Sequence, residues 1–232
     1  MENWESRLLS MGDVGATERI GAIVGLVSEW RGPVIGAEAI PAFVPEVLWR
    51  FYAAVGGSLE SVCRQNRILA PTELRVIGGK LEFAVENQVV FSWSVDLSKP
   101  DPPVYSRFGE SNHWIIDVPA LSLFLAQFML FELLIAAPFG ASAAWLTRTE
   151  IDVALSCMRE LPWPHWHCPS YPGRFFVRGN AFAFCCPNRG PDDVGGDPQY
   201  SFWLGGKDVS DVEFITSLIG VAWEFVSVER SD

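Results

Sequence analysis

The sequence predicts an α+β fold, and three observations carry that reading. Two stretches read as β-hairpins, one at Lys80–Val95 and one at Arg174–Cys186. A nearly unbroken apolar run between them, residues 118–137, reads as a long central helix. The order of elements is helix, helix, hairpin, edge strand, long helix, hairpin, strand, helix, which is not the regular alternation of a parallel βαβ sheet, and no internal repeat interrupts it. At 232 residues and 49% hydrophobic, with ten Trp and sixteen Phe, the chain can bury one sizeable core. Residues 1–232 therefore read as a single domain, a mostly antiparallel sheet of hairpins packed against several helices.

Asp13 is placed to start a first helix over residues 13–30, with Ile20, Ile23, Val24 and Val27 on one face. Three prolines in 32–45 imply an extended connection. Pro45 then opens a second helix whose Leu48, Tyr52 and Val55 share a face, and Gly56 ends it. In the first hairpin Leu81, Phe83 and Val85 alternate with Lys80, Glu82 and Glu86. In its second arm Val89, Phe91, Trp93 and Val95 alternate with Ser92, Ser94 and Asp96. One face is expected in the core and the other in water. Pro102 and Pro103 deny donors to a neighbour, which places Val104 and Tyr105 at a sheet edge or a bulge. Later, Thr149–Arg159 reads as a short helix, and four prolines between Pro162 and Pro172 enforce an aromatic loop. The second hairpin turns at Gly179-Asn180, and residues 187–199 read as an exposed, mobile loop. Tyr200–Leu204 is a last strand, and Ser210 with Glu213 has the spacing to open a final helix lined by Ile215, Leu218, Ile219 and Ala222.

The Glu86-Asn87-Gln88 turn, Trp93 at mid-strand and the Asp101-Pro102-Pro103-Val104 segment together resemble the bacterial branch of the SUKH superfamily, which includes fungal Smi/Knr-type regulators. The resemblance extends more weakly to the helix at 45–55, the Pro71–Leu74 turn and the helix at 121–134, about the middle half of the chain. Val89 stands where the family usually has a small residue. The resemblance implies a SUKH-like fold without catalytic apparatus. It also implies an immunity protein that binds and blocks a polymorphic toxin made by the same cell, or a regulatory or scaffold module of the same fold. From its motif come Glu86, Asn87, Asp96 and Asp101 as candidate partner-binding residues.

Charge narrows the partner. The net charge is −11, and residues 192–232 hold nine acids and two bases, net −7, leaving −4 for the remainder. Such a field repels a phosphate backbone and attracts a basic protein, so a basic toxin is the expected partner and direct nucleic-acid binding is not. Asp192, Asp193 and Asp197 join the candidate contact residues on this ground alone.

Five cysteines, odd in number and without framework spacing, point to a reducing compartment, and the N-terminal MENWESRLLSMGD lacks the basic-then-apolar order of a secretory signal. The cytoplasm fits. Gln127 and Glu132 inside the apolar run argue against a membrane span, since a carboxylate there costs roughly 2.5–3.5 kcal/mol even on a lenient scale.

No reaction signature is present: no nucleophile elbow, no H-E-x-x-H, no phosphate loop and no dinucleotide fingerprint. His165, His167, Cys168, Cys185 and Cys186 could be read as zinc ligands of a small zinc-dependent protein. However, adjacent Cys185 and Cys186 face opposite sides of a strand, and His167-Cys168 are too crowded for one tetrahedral ion. No cofactor and no metal are expected.

Overall fold

The computed structural model describes residues 3–109, 111, 113–188, 198–218 and 220–227. In chain order the elements begin with α1 (Trp4–Ser10), α2 (Ala16–Arg31), α3 (Glu46–Val55) and the short α4 (Leu59–Val62). Strands β1 (Asn66–Ile68), β2 (Arg75–Ile77), β3 (Lys80–Glu86), β4 (Phe91–Val95), β5 (Val104–Phe108) and β6 (Ile115–Val118) follow. After α5 (Leu121–Ile135) come β7 (Phe139–Leu146), α6 (Arg148–Leu155), β8 (Arg159–Glu160), β9 (Arg174–Arg178), β10 (Ala181–Asn188), β11 (Gln199–Gly206), α7 (Val209–Val212) and β12 (Phe225–Val226). The class is α+β, with antiparallel pairing throughout. The chain divides into two compact units: Asp13–Leu133, and Met1–Gly12 with Leu134–Asp232. Each carries its own six-stranded sheet. The division falls inside α5, so no proline- or glycine-rich linker marks it.

The first sheet has the order β1-β3-β4-β5-β6, with β2 also paired to β3. Trp93 is fully buried, its ring 5.5 Å from Phe124 and 6.0 Å from Phe128 of α5, and its indole N–H donates to Asp117 Oδ2 at 2.7 Å. That is the core placement the alternation predicts. The strict alternation expected along β3 does not hold. The register slips between Glu82 and Ala84, so that Leu81 faces Val95 but Ala84 faces Trp93. The slip is a bulge, and past it Val85 shares a side with Ser92 rather than with Leu81. Glu82, expected in water, is 0% exposed. Of the two placements expected for Val104 and Tyr105, an edge or a bulge, the bulge is the one found: their strand is an inner one between β4 and β6, with a bulge between those two residues. The edge is β6, which carries no alternating pattern of its own.

Helix α5 starts where Asp101 accepts from the backbone N–H of Ser122 (2.8 Å) and from its hydroxyl (2.7 Å). Arg19 of α2 completes this cap, donating to Ser122 Oγ and to the Val14 carbonyl. No helix of the described residues is long and apolar enough to cross a membrane.

In the second unit the sheet order is β12-β7-β11-β10-β9-β8. The hairpin β9–β10 turns at Gly179, whose φ of +58° suits glycine. Ala181, Ala183 and Cys185 of β10 face a cluster with Ile151 and Ala154 of α6 and Val212 of α7. Phe184, on the other side, meets Phe175, Trp166 and Trp203 at ring distances of 4.8, 6.2 and 6.0 Å. Thr147 and Glu150 close a reciprocal capping box at the start of α6. The final helix predicted from Ser210 is cut short. Asp208, not Ser210, precedes α7, a five-residue 3₁₀ helix follows at Glu213–Ser217, and Gly220 at φ +91° leads to β12, which pairs with β7. A β-branched and glycine-containing stretch holds a helix poorly when a sheet edge is within reach.

Candidate partner-binding site

Glu86 and Asn87 stand on the rim of an open groove of about 880 Å³ in the first unit. Its other walls are the Gly56-Gly57 turn, Glu60 of α4 and the segment 63–67 that leads into β1. The turn after β3 is closed locally, Gln88 N–H donating to Glu86 Oε2 and Val89 N–H to the Glu86 carbonyl, both at 2.9 Å. Val89 pays a conformational cost there, with φ at +61°, the left-handed region a β-branched residue disfavours. Glycine, which has no Cβ, would carry less strain here.

Beneath the groove lies a feature the sequence reading used only as an argument against a membrane. Glu132 of α5 is fully buried and accepts three backbone N–H groups, from Arg64 at 2.5 Å, Gln65 at 2.7 Å and Asn66 at 2.8 Å. Burial pushes its carboxyl above the usual range, and the three N–H groups pull it back. Nearby, Arg31 buries Nε and Nη2 without a hydrogen-bond partner; burial lowers its pKa, Arg64's like charge adds to that, and Glu132 opposes it. The Cys63 thiol is pushed up to about 12, first by burial and then by Glu132, which leaves it protonated and unreactive at neutral pH.

Asp96 and Asp101 have internal partners. Asp96 accepts from Lys80 Nζ at 2.8 Å and from the Tyr105 hydroxyl at 3.0 Å, while the Lys80 ammonium also sits 3.4 Å over the Tyr105 ring. The Lys80 hydrogen bond holds Asp96 below the usual carboxylate range. Asp101 caps α5 as described. On the side of the sheet that Ser94 shares, Glu82 is bridged by Arg75 at 2.6 Å and Arg107 at 3.2 Å, and Arg107 reaches Ser92 and lies 5.0 Å over Trp114. These long side chains over Glu82 are what turn an alternating polar face into a dry one. Alternation shows which way Glu82 points, but nothing in it shows that two arginines meet there.

At the hairpin end, Val89 and Phe108 are 63% and 66% exposed, and Val90 is exposed beside them. Phe108 packs edge-on against Phe91 at 5.8 Å. Asp192, Asp193 and Asp197 lie outside the described residues.

The histidine–cysteine cluster of the second unit is an aromatic stack. The His167 ring lies 4.5 Å from that of Tyr171, nearly parallel, and His165 meets the same tyrosine edge-on at 6.1 Å. Cys185 and Cys186 are buried on opposite sides of β10, and burial pushes their thiols up to about 11 and about 12. Among the described residues no three His, Cys, Asp or Glu side chains are grouped to hold a metal ion. No protein-family model, no curated protein and no solved structure matches the chain.

Proposed function

We propose that the chain is a non-catalytic binding protein of SUKH type, an immunity protein that neutralises a polymorphic toxin of its own cell by direct binding. The observation that supports this reading is the exposed end of the first hairpin. There Glu86 and Asn87, from the motif that carries the resemblance, stand beside exposed Val89, Val90 and Phe108. Exposed apolar surface next to charged groups is the make-up of a protein contact rather than of a bare surface. The remaining motif residues serve the fold: Trp93 fills the core and Asp101 caps α5.

A net charge of −11 favours a basic partner and speeds its encounter. Five free cysteines, three of them buried, suit the cytoplasm. The test is co-expression with the variable C-terminal domain of a large secreted toxin encoded beside this gene. Restored growth and a stoichiometric complex on size exclusion are the expected results. Absence of both leaves a regulatory or scaffold module of the same fold as the better account.

A further inference from the structure

We propose that Trp145 and strand β12 form a docking surface on the second unit for an arginine-rich segment of a protein partner, with Trp145 as its anchor. This rests on the binding-protein reading above for the existence of a partner, and adds a second surface and its chemistry.

Two residues other than glycine have a positive φ among the described residues, Val89 and Trp145, both at +61°. Both are apolar and more than half exposed, at 63% and 51%. Val89 stands at the hairpin end already described. Trp145 lies in β7 where Tyr200 faces Leu146 but Phe202 faces Ala143, so that Ala144 and Trp145 together oppose Ser201 in a bulge. Left-handed backbone is costly for a large side chain, and here it serves no burial. A bulge re-aims a side chain, and tryptophan is enriched among the residues that dominate protein contacts.

Apolar surface continues beside it. Strand β12 pairs with β7 at the sheet edge, Phe225 against Ser142, and leaves Phe225 57% and Val226 37% exposed. The neighbouring charges set the sign of the partner. Glu224, whose N–H donates to the Ser142 carbonyl, is exposed and in no ion pair among the described residues. Glu150 caps α6 and lies against the Ala222 amide. The cation close in sequence, Arg148, is bound to Asp152 and to the Tyr200 hydroxyl and lies 5.9 Å over the Tyr200 ring. An anionic partner meets these carboxylates as like charges, whereas a guanidinium stacks on an indole face and bonds a carboxylate with its edge. Two copies of this chain, each at −11, repel one another.

The experiment is an NMR titration of the ¹⁵N-labelled full chain at physiological salt with tetra-arginine amide, using tetra-citrulline amide as the uncharged control of the same shape. The expected result, with the arginine peptide alone, is a saturable shift of the Trp145 indole N–H, identified by its loss in Trp145→Gly, together with amides of residues 142–150 and 222–226. Trp145→Gly should weaken binding about tenfold and Glu224→Gln about threefold, while Trp145→Phe keeps most of it. Glycine suits the φ of +61°, and thermal melts check that each variant keeps its fold. Unchanged affinity in Trp145→Gly, equal shifts from the citrulline peptide, or shifts spread over acidic residues without the Trp145 indole would overturn the proposal. So would a dimer of the chain alone in analytical ultracentrifugation that Trp145→Gly abolishes, because it gives the surface to a second copy. With the neighbouring toxin domain the two ideas separate. Full-strength toxin binding by Trp145→Gly removes this surface from the contact and leaves the binding-protein reading standing. No toxin binding by the wild type removes that reading, while the peptide titration still decides the surface.

Discussion

In the first sheet, one side of β3 and β4 is built of ions; in the second, β10 is apolar on both sides and its faces differ only in side-chain size. Glu82 is covered by two arginines, and Lys80 is shared between Asp96 and the Tyr105 ring. Across β10, Ala181, Ala183 and Cys185 face α6 and α7 while Phe184 meets an aromatic cluster. At Glu82 and along β10 the two sheets exclude water by different physics. An ionic face depends on every charge keeping its partner, because an orphaned buried charge costs far more than the pair contributes. A face divided by size depends on volume, because small side chains leave room for a helix and large ones fill the opposite gap.

The largest effect expected on this contrast is that of Trp93→Ala, which removes the centre of the first core and the indole donor to Asp117. Urea denaturation should show a loss of about 3–5 kcal/mol. A midpoint equal to the wild type would mean that the first sheet does not rest on its apolar side. Glu82→Ala comes next, at about 2–3 kcal/mol, discounted because Arg75 is more than half exposed. Replacing Glu82 and Arg107 together by methionine should restore most of that loss. If the double variant is as weak as the single one, the ionic side is a packing element and the contrast with β10 collapses.

Ala183→Leu tests the second sheet by volume alone. It should cost about 1–3 kcal/mol by overpacking against the helices, with no change in charge. Val89→Gly goes the other way, relieving a left-handed β-branched residue, and should raise stability by about 1 kcal/mol in the same assay.

The smallest effects are pH-dependent and opposite in sign. Asp96 titrates below its ordinary 3.8 in the folded chain, so its contribution is present above that value and is lost as pH falls through the lower folded pKa. Glu132 titrates above its ordinary 4.5, so its contribution is full below that value and falls as pH rises through the folded pKa. Stability measured against pH should lose the first slope in Asp96→Asn and the second in Glu132→Gln. Identical curves for wild type and both variants would refute the assignment.

The contrast also explains what was legible beforehand. Strands β3 and β4 were visible as strands with a core side because polar and apolar residues alternate there. Trp93 lies where parity puts it, whereas Glu82 shares its parity with water-facing residues and is nonetheless dry. Strand β10 was visible through its turn at Gly179-Asn180, but AFAFCC carries no polarity from which to name its faces. Strand β7 was missed altogether, because FGASAAWL has no clean period and follows directly on an apolar helix. Of the candidate contact residues, Glu86 and Asn87 are together on the groove, while Asp96 and Asp101 have internal partners. The sequence showed them as four acidic or amide side chains with nothing to separate the two pairs.

Period, turn chemistry and caps are set by residues within a few positions of one another, and these the sequence determined by itself: the two hairpins, helix α3 between Pro45 and Gly56, the run of α5, and Trp93 facing inward. The partners of its charges were decided only in three dimensions. Glu132 meets the amides of residues 64–66 across a separation of 66 to 68 positions, and Arg107 meets Glu82 across 25. A buried charge is stable only where distant segments deliver donors to it, and which segments do so depends on strand order and register, which no local pattern encodes.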